Sequence, residues 1–358
     1  MDQQITVYHR LAKRLDELPQ GYPATENGVE LRILKIIFTE DEAEMALKLL
    51  PQPETATEIA QRLGMPLEEI TAKLDLMAQK GQIGSATIGG RQIYRLIPFV
   101  IGIYEQQRQA RLTHELVHLF EEYLPILSVE AGAHAPHAAR VIPVSGSVKP
   151  GIVVPPYEDI RKIIDHAKSF RVQDCICRRE KEMDGKRCSH TLTNCLQYSN
   201  EDHAYDYFKL DGEIISKEQA HKIMENSAKE GLVHTTHNVK EGVVGFLCNC
   251  CSCCCGLIRS VNEYHAHYTL ARSLYVAEIN TDDCILCGVC KEDRCPVEAI
   301  FEADDVLRVN MEKCLGCGVC VLTCPSEAIW LVERPAELRD EIADDMRDWA
   351  RRRMEQLM

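Results

Sequence analysis

The chain has 358 residues, 45 % of them hydrophobic, with 18 cysteines and a formal net charge of −14. That length and apolar content suffice for two or three domains with their own cores, and the acidic balance argues against nonspecific nucleic-acid binding and against docking on anionic membranes. Abundant thiols without an N-terminal apolar leader point to a reducing, cytoplasmic setting, and the longest apolar run, around Ile97 to Tyr104, is too short to span a bilayer.

The first thirty residues read as an amphipathic helix, Ile5 to Leu18, followed by a turn bearing Pro and Gly. From Glu40 the pattern is helix, helix, helix, hairpin. Thr55-x-x-Glu58 is a capping box for a helix that Gly64 ends. Pro66 opens the next helix, whose apolar residues Leu67, Ile70, Leu74 and Met77 keep helical spacing up to Gly81. Ile83 to Leu96 is β-rich around Gly89-Gly90, a two-residue hairpin signal. This order, over about 31–97, resembles a winged helix-turn-helix. A DNA-reading helix needs Arg or Lys for phosphates and base edges. Here Glu68, Glu69 and Asp75 stand against Lys73 and Lys80. A scaffolding or protein-contact role is expected, and nucleic-acid binding is not.

A long helix is expected from Pro98 to Tyr123, and Ala131 to Pro156 reads as a linker in which His134 and His137 are exposed loop residues. The next domain is mixed α and β. Pro156 to Ser169 is helical, with Ile160, Ile163, Ile164 and Ala167 on one side; Arg171 to Cys177 is a strand. Ser216-x-x-Gln219 caps a helix running to Gly231, Val243 to Leu247 is a short strand, and Leu257 to Leu274 is helical. The tail from Pro335 is a charged helix.

This middle region carries ten cysteines: Cys175, Cys177, Cys188, Cys195, Cys248, Cys250, Cys251, Cys253, Cys254 and Cys255. At strand spacing Cys175 and Cys177 would share a face. Such a density of soft thiolates suits iron–sulfur clusters, zinc or copper(I). Two arrangements are open: two further cubanes on eight of the ten thiols, or one atypical polynuclear cluster. Zinc is the alternative. Backbone-adjacent thiols such as Cys250 and Cys251 are expected to serve different sites. His190, His203, His234 and His237 are candidate nitrogen ligands or proton donors, each with a structural role as its plainer reading. Arg178 and Arg179 could offset cluster charge or bind an anionic substrate. Ordinary ion pairing with Glu180 or Glu182 explains them equally well.

Near the C-terminus one pattern occurs twice: Cys284-x2-Cys287-x2-Cys290-x4-Cys295-Pro296, then Cys314-x2-Cys317-x2-Cys320-x3-Cys324-Pro325. The flanks repeat too, as Ile279-Asn280 and Val309-Asn310 before the loops, and as Pro-Val-Glu-Ala-Ile (296–300) and Pro-Ser-Glu-Ala-Ile (325–329) after them. Gly288, Gly316 and Gly318 permit close approach of the backbone to a bound group. Residues 276–332 thus resemble a bacterial two-[4Fe-4S] ferredoxin module. The resemblance implies interleaved ligation: Cys284, Cys287, Cys290 and Cys324 on one cubane, Cys314, Cys317, Cys320 and Cys295 on the other. The first copy departs by one residue, having four (Lys291-Glu-Asp-Arg294) where the pattern has three, which should bulge that loop. Acidic residues crowd these loops (Asp282, Asp283, Glu292, Asp293, Glu302, Asp304, Asp305) and could steer a basic partner.

The expected fold class is α+β: a helical N-terminus and winged-helix-like domain (1–97), a helix and linker (98–149), a mixed α/β cysteine-rich domain (150–275), a ferredoxin-like two-cluster module (276–332) and a C-terminal helix (333–358). In outline the chain resembles multi-cluster iron–sulfur proteins of anaerobic microbes. The implied cofactors are two [4Fe-4S] clusters plus one or more further Fe–S centres in the middle domain. The leading expectation is an electron-transfer protein or subunit, with donor and acceptor proteins as partners and assembly into an oligomer or complex open. A reductase with a catalytic middle cluster and a redox-sensing winged-helix regulator are the alternatives. No dinucleotide fingerprint, P-loop or nucleophile elbow is present.

Overall fold

A computed structural model describes residues 5–207 and 212–357. The N-terminal part is helical: α1 (Val7–Asp16), α2 (Val29–Ile37), α3 (Glu40–Lys48), α4 (Ala56–Leu63) and α5 (Leu67–Gln79), then a hairpin of β1 (Gly84–Ile88) and β2 (Arg91–Arg95). Thr55 and Glu58 cap α4 reciprocally, and Gly64 ends it at φ 64°. Helix α2 was not expected; its Val29, Ile33, Leu34 and Ile37 are buried in the core that these helices share. On α5, Lys73 pairs with Asp41 and Lys80 with Glu42, while Asp75 accepts from the hydroxyls of Tyr94 and Tyr207.

The long helix expected from Pro98 is absent. Phe99 to Arg111 forms irregular short turns, with extended backbone at Val100 and Ile101, and the helix α6 starts only at His114, where the Thr113 side chain accepts from Leu116 N, and runs to Ala131. Apolar residues there pack without helical spacing: Phe99 and Tyr104 bury their rings with Tyr22, Phe120 and Tyr123. The stretch read as a linker holds the strand β3 (Ala139–Ile142), which is fully inside a sheet. His137 is buried, its ring near Asp340 and its carbonyl accepting from Trp349; His134 is half-buried.

Among the described residues that sheet has seven strands, in the order β6-β4-β5-β8-β7-β3-β9. They are β3, β4 (Ser169–Asp174), β5 (Thr193–Ser199), β6 (Glu213–Ile215), β7 (Val233–His237), β8 (Val244–Cys250) and β9 (Leu270–Ala271). Side chains alternate across it. Val172, Leu196 and Leu247 face the helices α7 (Ile160–His166) and α9 (Lys217–Lys229), which close one side. Val141, Val233, Phe246 and Cys250 face the other side and join the core of the C-terminal part. Two corrections concern its ends. Strand β4 stops at Asp174, so Cys175 is the N-cap of a helix, α8 (Ile176–Met183), rather than a strand residue. The helix expected over Leu257 to Leu274 is only α10 (Gly256–Asn262), because the chain turns at His265 with φ 52° and enters β9.

The C-terminal part pairs β10 (Tyr275–Ile279) with β13 (Ile329–Glu333) and β11 (Ile300–Ala303) with β12 (Val306–Val309), the flanks of the two cysteine loops. Helix α11 (Met346–Leu357) closes the chain, with Trp349 and Arg353 buried and Arg353 donating to the carbonyls of Pro19, Ala131 and Pro136. The fold is therefore mixed α/β, with a cysteine-rich middle.

The second cysteine loop presses directly on β10. A Cβ on Gly316, at φ +68°, would stand 2.1 Å from the Tyr275 carbonyl oxygen, whereas one on Gly288 would meet only the Glu292 side chain at 3.4 Å. Gly316→Ala is expected to destabilise the protein by about 3 kcal/mol or more, and Gly288→Ala by about 1 kcal/mol. Denaturant melts of the two variants check the order.

Candidate metal centres

Three groups of thiols emerge, and local structure builds each. In the C-terminal part, both copies follow their Cys-Pro with the same backbone contact: Ala299 N donates to Cys295 Sγ at 3.0 Å and Ala328 N to Cys324 Sγ at 3.3 Å. N–H donors of this kind favour thiolate over thiol. The fourth cysteine of each copy lies with the other copy's triplet. Cys314, Cys317 and Cys320 each feel the charge of Cys295, and Cys290 feels that of Cys287, Cys284 and Cys324. A cavity is lined by Cys295, Cys314, Cys317 and Cys320 with otherwise apolar walls, among them Ala277, Val297 and Leu331. Burial and crowding push the Cys317 thiol up to about 12 and the Cys290 thiol up to about 11. Bringing thiolates together this way is costly without positive charge between them, so the donor set fits a cationic iron–sulfide core.

The two ends of this part differ in exposure. Cys314, Cys317 and Cys320 are buried, while Cys287 is exposed beside Ile285 (64 % exposed) and Leu286 (49 %). The acidic residues named above are all exposed, with Asp282 and Asp283 directly preceding the loop that carries the patch. The extra residue of the first copy is absorbed in a wide turn over Cys290–Arg294, against a tighter one over Val321–Thr323, and Arg294 donates from it to the Lys229 carbonyl at 3.2 Å. Arg334, fully buried, donates to the carbonyls of Tyr275 (2.8 Å), Met311 (2.7 Å) and Cys314 (2.6 Å). Nothing in its sequence context marks this arginine; it reads as the charged end of a strand.

The second group joins six middle thiols. Leu196 pairs with Leu247, so the next antiparallel rung sets Cys195 opposite Cys248 on the face away from α7 and α9. Cys250 follows on the same face, its Sγ 3.5 Å from Thr235 Oγ1. Cys175 and Cys255 are the N-cap residues of α8 and α10, and Cys177 lies in the first turn of α8. Each thiol shifts the titration of the next in series, Cys175 and Cys177, Cys177 and Cys255, Cys255 and Cys250, Cys250 and Cys248, Cys248 and Cys195. The hydrogen bond from Cys248, then that from Cys255, holds the Cys250 thiol down at about 5. Cys195 is held at about 6, by Cys248 first and by Arg108 as well.

Two buried arginines flank this ring. Arg178 lies near Cys175, Cys250 and Cys251, and donates to Thr191 O (2.7 Å), Asn194 Oδ1 (2.7 Å) and Asn249 O (2.6 Å); Arg108 lies near Cys195. Each keeps an Nε–H without a protein partner among the described residues. Most buried donors in folded proteins find a partner, and the two guanidinium groups bring positive charge that suits an anionic group held among the thiols. Arg179, by contrast, sits at the surface and pairs with Asp174 and Glu182, each at 2.6 Å. Nothing in the sequence connects Arg108 to Cys195, 87 residues further on. Behind the ring, Glu121 of α6 bonds Lys181 and Arg259 (2.8 Å each), tying the N-terminal helices to α8 and α10.

The third group is Cys188, Cys251, Cys253 and Cys254, whose sulfurs all lie within 4.8 Å of one another. Adjacent Cys250 and Cys251 thus face different groups, whereas adjacent Cys253 and Cys254 meet in one. The group includes no histidine. His234 is buried in β7 and His237 is half-buried at its end; desolvation holds both at about 4, hence neutral, and His234 Nδ1 is 2.7 Å from Asn249 Oδ1. His190 lies by Glu230 (3.7 Å) and His203 by Asp206 (2.8 Å).

Among the described residues no helix is long and apolar enough to cross a membrane. No curated protein and no solved structure matches the chain. A family model described as a 4Fe-4S binding domain matches residues 307–330, which contain Cys314, Cys317, Cys320 and Cys324. The chain therefore carries a 4Fe-4S binding segment near its C-terminus and a candidate four-cysteine metal site in its middle region.

Proposed function

We propose that this chain is an iron–sulfur electron-transfer protein or the electron-transfer subunit of a larger assembly. The observation that carries the reading is the exchange of fourth cysteines: Cys295 sits with the triplet of the second copy and Cys324 with that of the first. Cys284, Cys287, Cys290 and Cys324 would hold one cubane, Cys314, Cys317, Cys320 and Cys295 another, and the six-thiol ring a further polynuclear centre. Bound there, such clusters supply reversible one-electron chemistry. The exposed Cys287 end, apolar at Ile285 and Leu286 and acidic around them, suits a soluble donor with a basic rim. Cys290, Cys317 and Cys320 belong to one buried apolar cluster with Cys250 and Cys255 of the ring, so the C-terminal part and the ring share a core. The N-terminal helices, winged-helix-like in order, serve as scaffold: α5 spends its lysines in ion pairs.

All-cysteine ligation in an acidic protein favours low potentials. A redox titration followed by electron paramagnetic resonance is expected to show at least two interacting low-potential centres; only high potentials, or one isolated signal, would count against the reading. Arg334→Met should lower the potential of the buried C-terminal centre and leave the exposed one in place, because it removes the cation nearest Cys314.

A second reading, in which the middle centre reduces a small molecule, is favoured by one observation. A cavity of ≈ 530 Å³ is lined by Arg108, the arginine near Cys195, and by Gln173, Asp174, Arg179, Thr193 and Glu213 among others. Spectral shifts of the middle centre on adding small ligands, retained when the C-terminal clusters are removed, distinguish it from simple electron transfer.

A further inference from the structure

The third group of thiols is the one whose four sulfurs, among the described residues, all lie within 4.8 Å of one another. Cys188 Sγ is 3.9 Å from Cys251 Sγ and 3.6 Å from Cys253 Sγ, and Cys253 Sγ is 3.6 Å from Cys254 Sγ. A single tetrahedral ion with metal–sulfur bonds of about 2.3 Å sets its four sulfurs about 3.8 Å apart. A cubane does not bring its thiolates so close, because each binds a separate iron at its own corner.

We infer that Cys188, Cys251, Cys253 and Cys254 form a closed, mononuclear site for one zinc ion. Four thiolates and no fifth donor match structural zinc. Zinc also stands above ferrous iron in affinity for a given site of this kind, so a lone tetrahedral position in an iron-loaded protein is one that zinc wins. Charge is provided for. Arg178 lies beside Cys251, and Lys186 and Arg187 precede Cys188 in the loop after α8. Cys254 and Cys251 are buried against Leu232, while Cys253 forms the exposed rim.

The position explains what the ion does. Cys251, Cys253 and Cys254 form the turn between β8 and α10, and the residues on either side of that turn, Cys250 and Cys255, belong to the six-thiol ring. Pinning the turn to Cys188 fixes both ring thiols from outside. Zinc has no redox chemistry, so the ion is a clip and not a station for electrons. This inference is independent of the electron-transfer reading.

The test is metal analysis and zinc-edge X-ray absorption on the full chain, purified anaerobically with iron and zinc both supplied. The expected result is one zinc per chain, surrounded by four sulfurs at about 2.3 Å with no iron neighbour. Cys253→Ser, at the exposed rim, and Cys188→Ser should each lose that zinc. A wild-type protein without zinc, a zinc edge showing nitrogen, oxygen or iron neighbours, or a Cys253→Ser variant that keeps its zinc overturns the inference. Colourless protein that still holds one thiolate-bound zinc would sink the iron–sulfur reading alone; brown, zinc-free protein would sink this one alone.

Discussion

Cys295→Ser is expected to cost the chain the cluster of the second copy, not that of the copy it belongs to in sequence. Cys295 shares a cavity with Cys314, Cys317 and Cys320. Its variant should therefore resemble Cys317→Ser: iron lower by about four atoms per chain, with the resonance of the buried centre gone and that of the exposed centre kept. Cys284→Ser should give the complementary loss. Iron analysis with electron paramagnetic resonance on the three variants decides between interleaved and local ligation. If Cys295→Ser instead matches Cys284→Ser, each loop closes its own site and the exchange of fourth ligands is wrong.

Cys250→Ser is expected to have the largest effect on the middle centre. Its thiol is held down by both Cys248 and Cys255 and lies 3.5 Å from Thr235 Oγ1, which sets it between the two halves of the ring. Iron should fall toward the roughly eight atoms that two cubanes contain, with both C-terminal resonances intact. Unchanged iron in this variant would mean that the ring holds no cluster.

The sequence was most legible where spacing alone sets geometry. Two-residue gaps and Cys-Pro endings define the C-terminal loops, and capping boxes at Thr55 and Ser216 place α4 and α9 where they are observed. The middle thiols were legible as a metal-binding set, but not in their division. Three kinds of backbone meet within eight residues. Strand β8 aims Cys248 and Cys250 to one face, the following turn directs Cys251, Cys253 and Cys254 away, and the start of α10 returns Cys255 to the ring. No one-dimensional period describes that path. Cys175 and Cys177 illustrate the same difficulty: a helix begins between them, yet each still shifts the other's titration because an N-cap and the second helical residue lie close. The misplaced helix at Pro98 and the missed strand β3 have a common cause. Apolar residues without a period can fill a core from irregular turns, and four residues of a central strand, buried on both faces, carry no alternation to read.

The most direct measurement is iron and acid-labile sulfide per chain after anaerobic purification. The expected result is brown protein with more than about eight irons, matched by sulfide, for two cubanes and a further polynuclear centre. Colourless protein free of iron and sulfide would contradict the iron–sulfur assignment outright.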